Sequence, residues 1–327
     1  MKIFLTGGTG FIGGNVARKL RGRGDDVVAL VRSPEKAGGL REIGCELVAG
    51  SLADEAVIDK ALEGCDAAIH GAAIYEVGIP ESRHEDMRKA NVAGTETVLG
   101  AALRAKTPRV VYISTIGAFG NTHGEVVDET YEHPAESFTS YYEETKWQAH
   151  QVAKNLIADG LNCVIVQPAG VYGPGDHSEL GNLTKQVLAG KLPLIPFPDF
   201  GLVVVHVDDV ADGILLALDK GEIGEAYILG AETTTHRDFI RTVAEVGGKK
   251  PPSRALPSGV LKAIAPAGSV VGPILGFPPN MRELISAADG VTLWSTSEKA
   301  KRELGYDPRD LRTTISDTLR EIGKLPS

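Results

Sequence analysis

Apolar residues recur along the first half of the chain in two alternating rhythms. Short β-branched runs stand at Lys2–Thr6, Val27–Val31, Leu47–Ala49, Ala67–His70, Arg109–Ser114 and Cys163–Gln167. Between them lie longer stretches with helical spacing, Phe11–Arg21, Glu55–Leu62, Ser82–Arg104 and Tyr142–Ala158. Strands alternating with helices predict βαβ units and a parallel sheet covered on both faces. Uninterrupted apolar runs such as Val110–Ile113 fit strands buried on both sides. The pattern is that of an α/β protein.

The texture changes after Pro168. Val171–Asp176 reads V-Y-G-P-G-D, a glycine- and proline-rich loop. Strand-like runs return at Val203–Val207 and Ala226–Leu229 around a helix at Val210–Leu218, and Thr235–Gly247 and Pro279–Ile322 read as helices joined by turns. This predicts a nucleotide-binding domain over residues 1–170, with 203–230 returning to its large sheet. A smaller, mostly helical lobe takes residues 171–202 and 231–327. No fixed-period repeat or low-complexity tract interrupts the chain.

Bulk properties narrow the class. The 327 residues carry 34 basic and 43 acidic side chains, a net charge of −9, which disfavours a nucleic-acid surface. Hydrophobic content of 43% is ordinary for a globular protein. Cys45, Cys65 and Cys163 are odd in number and widely spaced, which predicts reduced thiols and a cytoplasmic setting rather than a disulfide framework or metal site. Met1–Thr6 runs straight into glycines and does not read as a signal peptide. The most apolar late stretch, Ala255–Phe277, is broken by Pro257, Lys262, Pro266 and Pro273, so no membrane span is expected.

Candidate chemistry begins at T-G-G-T-G-F-I-G, Thr6 to Gly13. Gly7 permits a sharp turn after the first strand, Gly10 lets a pyrophosphate reach the backbone, and Gly13 lets the helix sit close to the strand. The helix N-terminus offers open N–H groups and a positive dipole end. The second strand ends at Val31 and Arg32, where an NAD site usually has an acid for the ribose 2′-OH. A guanidinium suits a 2′-phosphate instead, so NADP is expected over NAD, with Ser33 and Lys36 as helpers. The bland alternative is a solvated arginine.

Farther on, Tyr142 and Lys146 stand in S-Y-Y-E-E-T-K. Residues i and i+4 share one helix face, and an ammonium favours the phenolate of a nearby tyrosine. Tyr141 competes for the role, but its own i+4 partner is the uncharged Thr145. Ser114 and Thr115 close the strand V-V-Y-I-S-T, where the carboxyl end of a parallel sheet binds ligands. A hydroxyl there can polarise a carbonyl while tyrosine supplies a proton.

These residues resemble the extended short-chain dehydrogenase/reductase family, of the NAD(P)-dependent epimerase/dehydratase type. The likeness spans nearly the whole chain. It rests on the glycine opening, H-G-A-A at His70–Ala73, N-V-A-G-T at Asn91–Thr95, Tyr142/Lys146, Q-P-A-G-V-Y-G-P-G-D at Gln167–Asp176 and V-H-V-D-D-V-A at Val205–Ala211. The chain looks most like the dihydroflavonol 4-reductase-like branch. The resemblance implies a Rossmann doubly wound parallel sheet with a C-terminal substrate lobe, and often a homodimer. It implies that Tyr142 is the proton donor, that Lys146 holds the nicotinamide ribose and lowers the phenol's pKa, and that Asn91 lies near the relay. Thr115 takes the catalytic serine position, a departure from the usual residue; a register shift by one gives the role to Ser114. The implied dinucleotide contacts are Gly7, Gly10, Phe11, Ile12, Gly13, Arg32, Leu52, Gly71, Ala72 and Ala73, and Pro168, Ala169, Gly170 and Val171 along the nicotinamide. Ser51 stands where an adenine-contacting Asp is usual.

Two absences narrow the chemistry further. Ile116 and Gly117 follow Thr115 where sugar-nucleotide dehydratases carry Asp-Glu, and Leu202 stands where sugar-nucleotide epimerases have a diphosphate-binding arginine. The substrate-side segments Ile74–Pro80, Leu183–Phe200 and Ala255–Phe277 are apolar. Other residues read as structural: His70 and His206 at strand ends, Asp208 as a helix cap with Asp209 beside it, Glu143 and Glu144 on a solvated helix face, Trp147 against the sheet. The expected function is an NADPH-dependent reductase of an uncharged or hydrophobic aldehyde or ketone, reversible as an alcohol dehydrogenase. The alternatives are an epimerase of a sugar-like substrate and a non-catalytic NADP-sensing protein.

Overall fold

The computed structural model describes residues 1–268 and 277–325. Its order begins β1 (Lys2–Thr6), α1 (Phe11–Gly22), β2 (Asp26–Val31), α2 (Gly38–Glu42), β3 (Glu46–Ala49), α3 (Glu55–Leu62) and β4 (Ala67–His70). It continues α4 (His84–Arg88), α5 (Gly94–Arg104), β5 (Arg109–Ile113), α6 (Tyr141–Ala158), β6 (Cys163–Pro168), β7 (Gly170–Tyr172) and α7 (Glu179–Leu188). Then come β8 (Gly201–His206), α8 (Val207–Lys220), β9 (Ala226–Leu229), β10 (Glu232–Thr235) and α9 (His236–Val246). Further helices at Ser258–Ile264, Met281–Ala288, Glu298–Leu304 and Leu311–Glu321 follow.

Seven parallel strands form the large sheet in the order β3-β2-β1-β4-β5-β6-β9. The period of two along each strand sorts its side chains to opposite faces. Ile3, Leu5, Val27, Ala29, Val111 and Val164 join α1 and α8 on one side. Phe4, Val28, Ala68, Val110, Tyr112 and Ile165 join α3, α5 and α6 on the other. Both faces are therefore dry, which is why these strands carry so few polar residues. The chain order reverses between β1 and β4, so the crevice of this Rossmann sheet opens at their carboxyl ends.

One expected placement differs. Gly201–His206 does not join the large sheet; it sits in a three-stranded sheet ordered β10-β8-β7. The position beside β6 is taken by β9, and β7, only one residue past β6, recruits β8 as its own parallel partner. Within 203–230, α8 packs against α1 and β9 completes the large sheet.

The stretch expected as one helix over Ser82–Arg104 is a short 3₁₀ turn, α4, a π-helical turn at Lys89–Ala93, and α5. A π turn inserts a residue and re-aims the side chains it carries, and this one carries Asn91. His206, not Asp208, caps α8: its ring Nδ1 accepts from the Asp208 N–H at 3.2 Å. Asp208 lies inside the first turn, where its charge favours the helix dipole, and Asp209 pairs with Arg309 at 2.8 Å. Among the described residues no helix is long and apolar enough to cross a membrane, and the three cysteines are buried and unpaired.

Candidate active site

The glycine turn is built by close approach. Gly7 has φ +80, and a Cβ there would lie 2.7 Å from the Ala72 nitrogen. A Cβ on Gly13 would land on the Gly7 carbonyl oxygen. No side chain caps α1, whose N-cap is Gly10, so the first-turn N–H groups around Phe11 and Ile12 stay open to a phosphate. The residues present thus fit a dinucleotide pyrophosphate. Gly13→Ala is expected to destabilise the protein by about 1–3 kcal/mol through overpacking. Gly22→Ala, at the far end of the same helix, meets nothing within 4 Å and serves as the thermal-melt control.

Arg32 is exposed at the end of β2, and its guanidinium makes no hydrogen bond or ion pair among the described residues. Ser51 is engaged in a local turn: its N–H donates to Asp54 at 2.6 Å and its hydroxyl accepts from the Ala53 N–H at 3.3 Å. Leu52 packs on Gly94, where a Cβ would clash with its side chain at 2.7 Å. At the end of β4 the Thr6 hydroxyl accepts from the N–H groups of Gly71 and Ala72, both at 3.3 Å, and Ala73 is exposed beyond them. His70 lies under this turn, its two ring nitrogens bonded to Thr6 at 2.7 Å and Thr95 at 3.1 Å. Burial pushes its pKa down to about 3, so it is a neutral structural group.

The register of β4, β5 and β6 sets their carboxyl ends side by side, with His70 opposite Tyr112 and Ile113 opposite Val166. Ser114 and Thr115 leave β5 there and diverge. The Ser114 hydroxyl turns to Nδ1 of His150 on α6, at 3.0 Å. The Thr115 hydroxyl accepts from the Gly117 N–H at 3.1 Å and approaches the Pro168 carbonyl at 3.5 Å. A Cβ on Gly117 would lie 3.4 Å from Thr115 Oγ1 and 3.7 Å from Tyr142 Cε1, so hydroxyl and phenol border one small space. Beyond β6, Ala169 is buried, and a Cβ on Gly170 would lie 2.9 Å from the Val203 carbonyl oxygen; Val171 follows in β7.

Ser140 starts α6 by accepting from the Glu143 N–H at 3.1 Å. Tyr141 turns away from the crevice and stacks on His84 with centroids 3.8 Å apart. Tyr142 faces the crevice, with the Tyr75 ring edge-on at 5.0 Å. Tyr75 is 61% exposed. Burial, then the Tyr75 phenol, push the pKa of Tyr142 up, while the Thr115 hydroxyl pulls it down. Lys146 is 4% exposed, donates to the Ile113 carbonyl at 3.4 Å and lies 5.5 Å from the Tyr112 ring centre. Burial pushes its pKa down to about 8. This corrects the expectation of an acidified phenol: burial dominates the shift, and the phenol stays protonated at neutral pH.

Asn91 is 1% exposed and fully engaged. Its oxygen accepts from the Ile74 N–H at 2.7 Å, and its nitrogen donates to the Ile74 carbonyl at 3.0 Å and to Thr145 at 3.0 Å. It clamps the loop bearing Tyr75 to the helix bearing Lys146. Glu143, expected in solvent, is 5% exposed, bonded to His133 at 2.9 Å and to Thr139. Trp147 packs on Phe138 with ring centroids 5.6 Å apart. The cause is the 133–139 loop, which folds over that face of α6 and covers Glu143. Tyr75 and His150 were not foreseen. His150 follows Lys146 by four residues, so the helical period carried that signal; nothing local marks Tyr75.

The three apolar segments singled out on the substrate side converge in one cluster. Val77, Phe197, Phe200, Leu256, Leu261 and Phe277 meet around Met281 and Leu284. Residues 269–276 of the third segment lie outside the described residues. Leu202 is buried in a separate core with Leu183 and Phe239.

A glycine turn with open helix N–H groups, together with a half-buried tyrosine and a buried lysine at the end of the same sheet, fits a dinucleotide-dependent enzyme. The chain belongs to the NAD dependent epimerase/dehydratase family, whose model matches residues 3–230. It is 31% identical to a 4-hydroxy-2-methyl-3-oxo-4-farnesyl-3,4-dihydroquinoline-1-oxide ketoreductase of Stigmatella aurantiaca, over 99% of this chain and 97% of the relative. It is 30% identical to a dihydroflavonol 4-reductase-like protein of Synechocystis, over 97% and 93% of the two chains. The crystal structure of gox2253 superposes with a TM-score of 0.84 at 34% identity, covering 99% of each chain. The UDP-glucuronic acid 4-epimerase of Bacillus cereus, solved with UDP-glucuronic acid and NAD, shares the fold at a TM-score of 0.77 and 22% identity, over 98% of this chain and 99% of that one. The family is one of NAD(P)-dependent oxidoreductases and epimerases, and the chain is an enzyme of that class.

Proposed function

We propose that the protein is an NADPH-dependent reductase of a hydrophobic, uncharged ketone or aldehyde, reversible as an alcohol dehydrogenase. The observation that carries this reading is the Tyr142 phenol, kept protonated by burial and bordering the same space as the Thr115 hydroxyl. A protonated phenol is the form required of a proton donor in carbonyl reduction. The bound nicotinamide supplies the hydride. Thr115 orients the carbonyl oxygen, and Tyr142 gives that oxygen its proton. An alkoxide is a stronger base than a phenolate, so the transfer runs downhill even from a phenol of raised pKa. Lys146, buried and without a carboxylate partner among the described residues, lends its charge to the phenolate left behind. Asn91 keeps both sides of this geometry in place.

Arg32 supports NADP over NAD, as an exposed guanidinium with no internal partner at the ribose end of the cradle. The apolar cluster around Phe197 and Phe200 supports a hydrophobic substrate. So do the names of relatives: a ketoreductase of a farnesylated dihydroquinoline oxide, and a 3 beta-hydroxysteroid dehydrogenase/Delta 5-->4-isomerase of Mycobacterium tuberculosis at 29% identity. The test is oxidation of NADPH, followed by absorbance, against a panel of apolar cyclic ketones and aldehydes. Strict return of substrate carbon with no net cofactor consumption would replace reduction by epimerisation.

The same assay carries a pH prediction. The Lys146 ammonium is present below its lowered pKa and lost as pH rises through about 8. The reductive rate at saturating NADPH is therefore expected to decline across that point. A flat profile well above it would exclude Lys146 as the charged partner of Tyr142.

A further inference from the structure

Behind α6, on the side away from the glycine turn, lies a cavity of about 430 Å³ bordered by Glu129, His150, Lys154, Glu225 and Lys299. A smaller space of about 40 Å³ shares Glu129, His150 and Lys154 with it and ends on Gln167 and Trp147. That inner volume suits one or two water molecules. Gln167 is 1% exposed, and neither polar atom of its side-chain amide has a hydrogen-bond partner among the described residues. Buried polar atoms cost free energy unless bonded, so this side chain is built to hold something polar in the small space. His150 borders both spaces, and its Nδ1 meets the Ser114 hydroxyl at 3.0 Å. The Tyr112 hydroxyl is likewise buried without a hydrogen-bond partner among the described residues, and Lys146 lies over that same ring.

We propose that His150, with water held at Gln167, carries protons from the cavity behind α6 by way of Ser114 toward Lys146 and so reloads Tyr142. This rests on the reductase reading given above. Each carbonyl reduced takes a hydride on carbon and the Tyr142 proton on oxygen, so one proton per turnover must return from solvent. Water in the small space protonates Nε2 of His150. The ring passes its Nδ1 proton to Ser114 Oγ as the hydroxyl proton moves inward, and water spans the step to Lys146. The ring, left with its proton on Nε2, regains the starting tautomer by turning toward the small space, where Nε2 gives its proton to water and Nδ1 takes one from water, so that one proton enters per cycle. Burial first, then the cations of Lys154 and Lys146, keep His150 neutral, with a pKa of about 4, so the ring passes protons on without storing charge. Ser114, one of the two candidate catalytic hydroxyls in the sequence, thereby has a role distinct from Thr115.

The experiment compares the wild type with His150→Ala and Gln167→Leu at saturating NADPH and ketone, with and without added imidazole. Thermal melts and NADPH binding are measured on each. The expected result for His150→Ala is a fall in kcat of about 10- to 100-fold, unchanged NADPH affinity, and recovery when imidazole enters the cavity. Gln167→Leu, which substitutes an apolar group for an unbonded amide, is expected to keep its melting temperature and lose kcat, with a larger solvent deuterium effect. Wild-type kcat in both variants, or losses in both that imidazole and solvent deuterium leave unaltered, would overturn the relay and leave the reductase reading standing. A wild type that turns over no carbonyl compound would overturn both.

Discussion

Tyr142→Phe is expected to lower kcat/KM for carbonyl reduction by about 10²- to 10⁴-fold, the range for removing a positioned proton donor. The loss should fall on kcat, because the phenol acts on the oxygen only as charge develops there. Folding should survive. Among the described residues the Thr115 hydroxyl is the phenol's hydrogen-bonding neighbour, and the ring keeps its edge-on contact with Tyr75 at 5.0 Å. Deleting one such hydroxyl is worth about 1 kcal/mol of stability or less, so the melting temperature should hold within a few degrees. NADPH affinity should be unchanged. Turnover at the wild-type level in this variant would remove Tyr142 from the chemistry and end the proposed mechanism. The parallel variant Tyr141→Phe tests the competing tyrosine. Its ring is stacked on His84 outside the crevice, so its rate should match the wild type.

The second large effect concerns cofactor choice. Arg32→Glu is expected to weaken NADPH binding by about 3 kcal/mol, roughly a hundredfold, while NADH binding stays level or improves. Arg32 makes no ion pair or side-chain hydrogen bond among the described residues, so the substitution takes nothing from the fold. The new carboxylate repels a 2′-phosphate and accepts from a ribose 2′-OH, which reverses the preference rather than abolishing binding. The dissociation constants of both reduced cofactors, measured by fluorescence, decide the matter. Equal loss for the two would mean that Arg32 shapes the site without reading the phosphate, and the NADP assignment would fall.

Much of this molecule was legible along the chain, and the legible parts share a cause. The cradle could be read because three properties change within eight residues: strand period stops, glycines intervene, helical period starts. Each is local. Tyr142 and Lys146 were legible for the same reason, since the helix alone puts i and i+4 on one face. The roles of their neighbours were not. Glu143 occupies a position that helical spacing leaves to solvent, yet it is covered by the loop at His133–Phe138, which also meets Trp147. Lys146 reads as a plain cation until its burial is known, and burial moves its pKa down to about 8. Asn91 was legible as a site residue through resemblance. Its work as a clamp on Ile74 depends on the π turn that aims it, which no spacing signals.

What the amino-acid order determined alone is everything with a short repeat: the alternation of strand and helix, the parallel sheet with two dry faces, the glycine turn, and a phenol one helical turn from an ammonium. Tertiary structure alone decided which neighbours those groups have. It set β8 in a small second sheet, brought Tyr75 against Tyr142, turned Ser114 to His150 and Thr115 to the phenol, and left the Gln167 amide facing a small cavity. Periodicity is a property of consecutive backbone geometry and survives in the sequence. Desolvation and long-range contact depend on which distant segment closes over a surface, and that is fixed only when the whole chain packs.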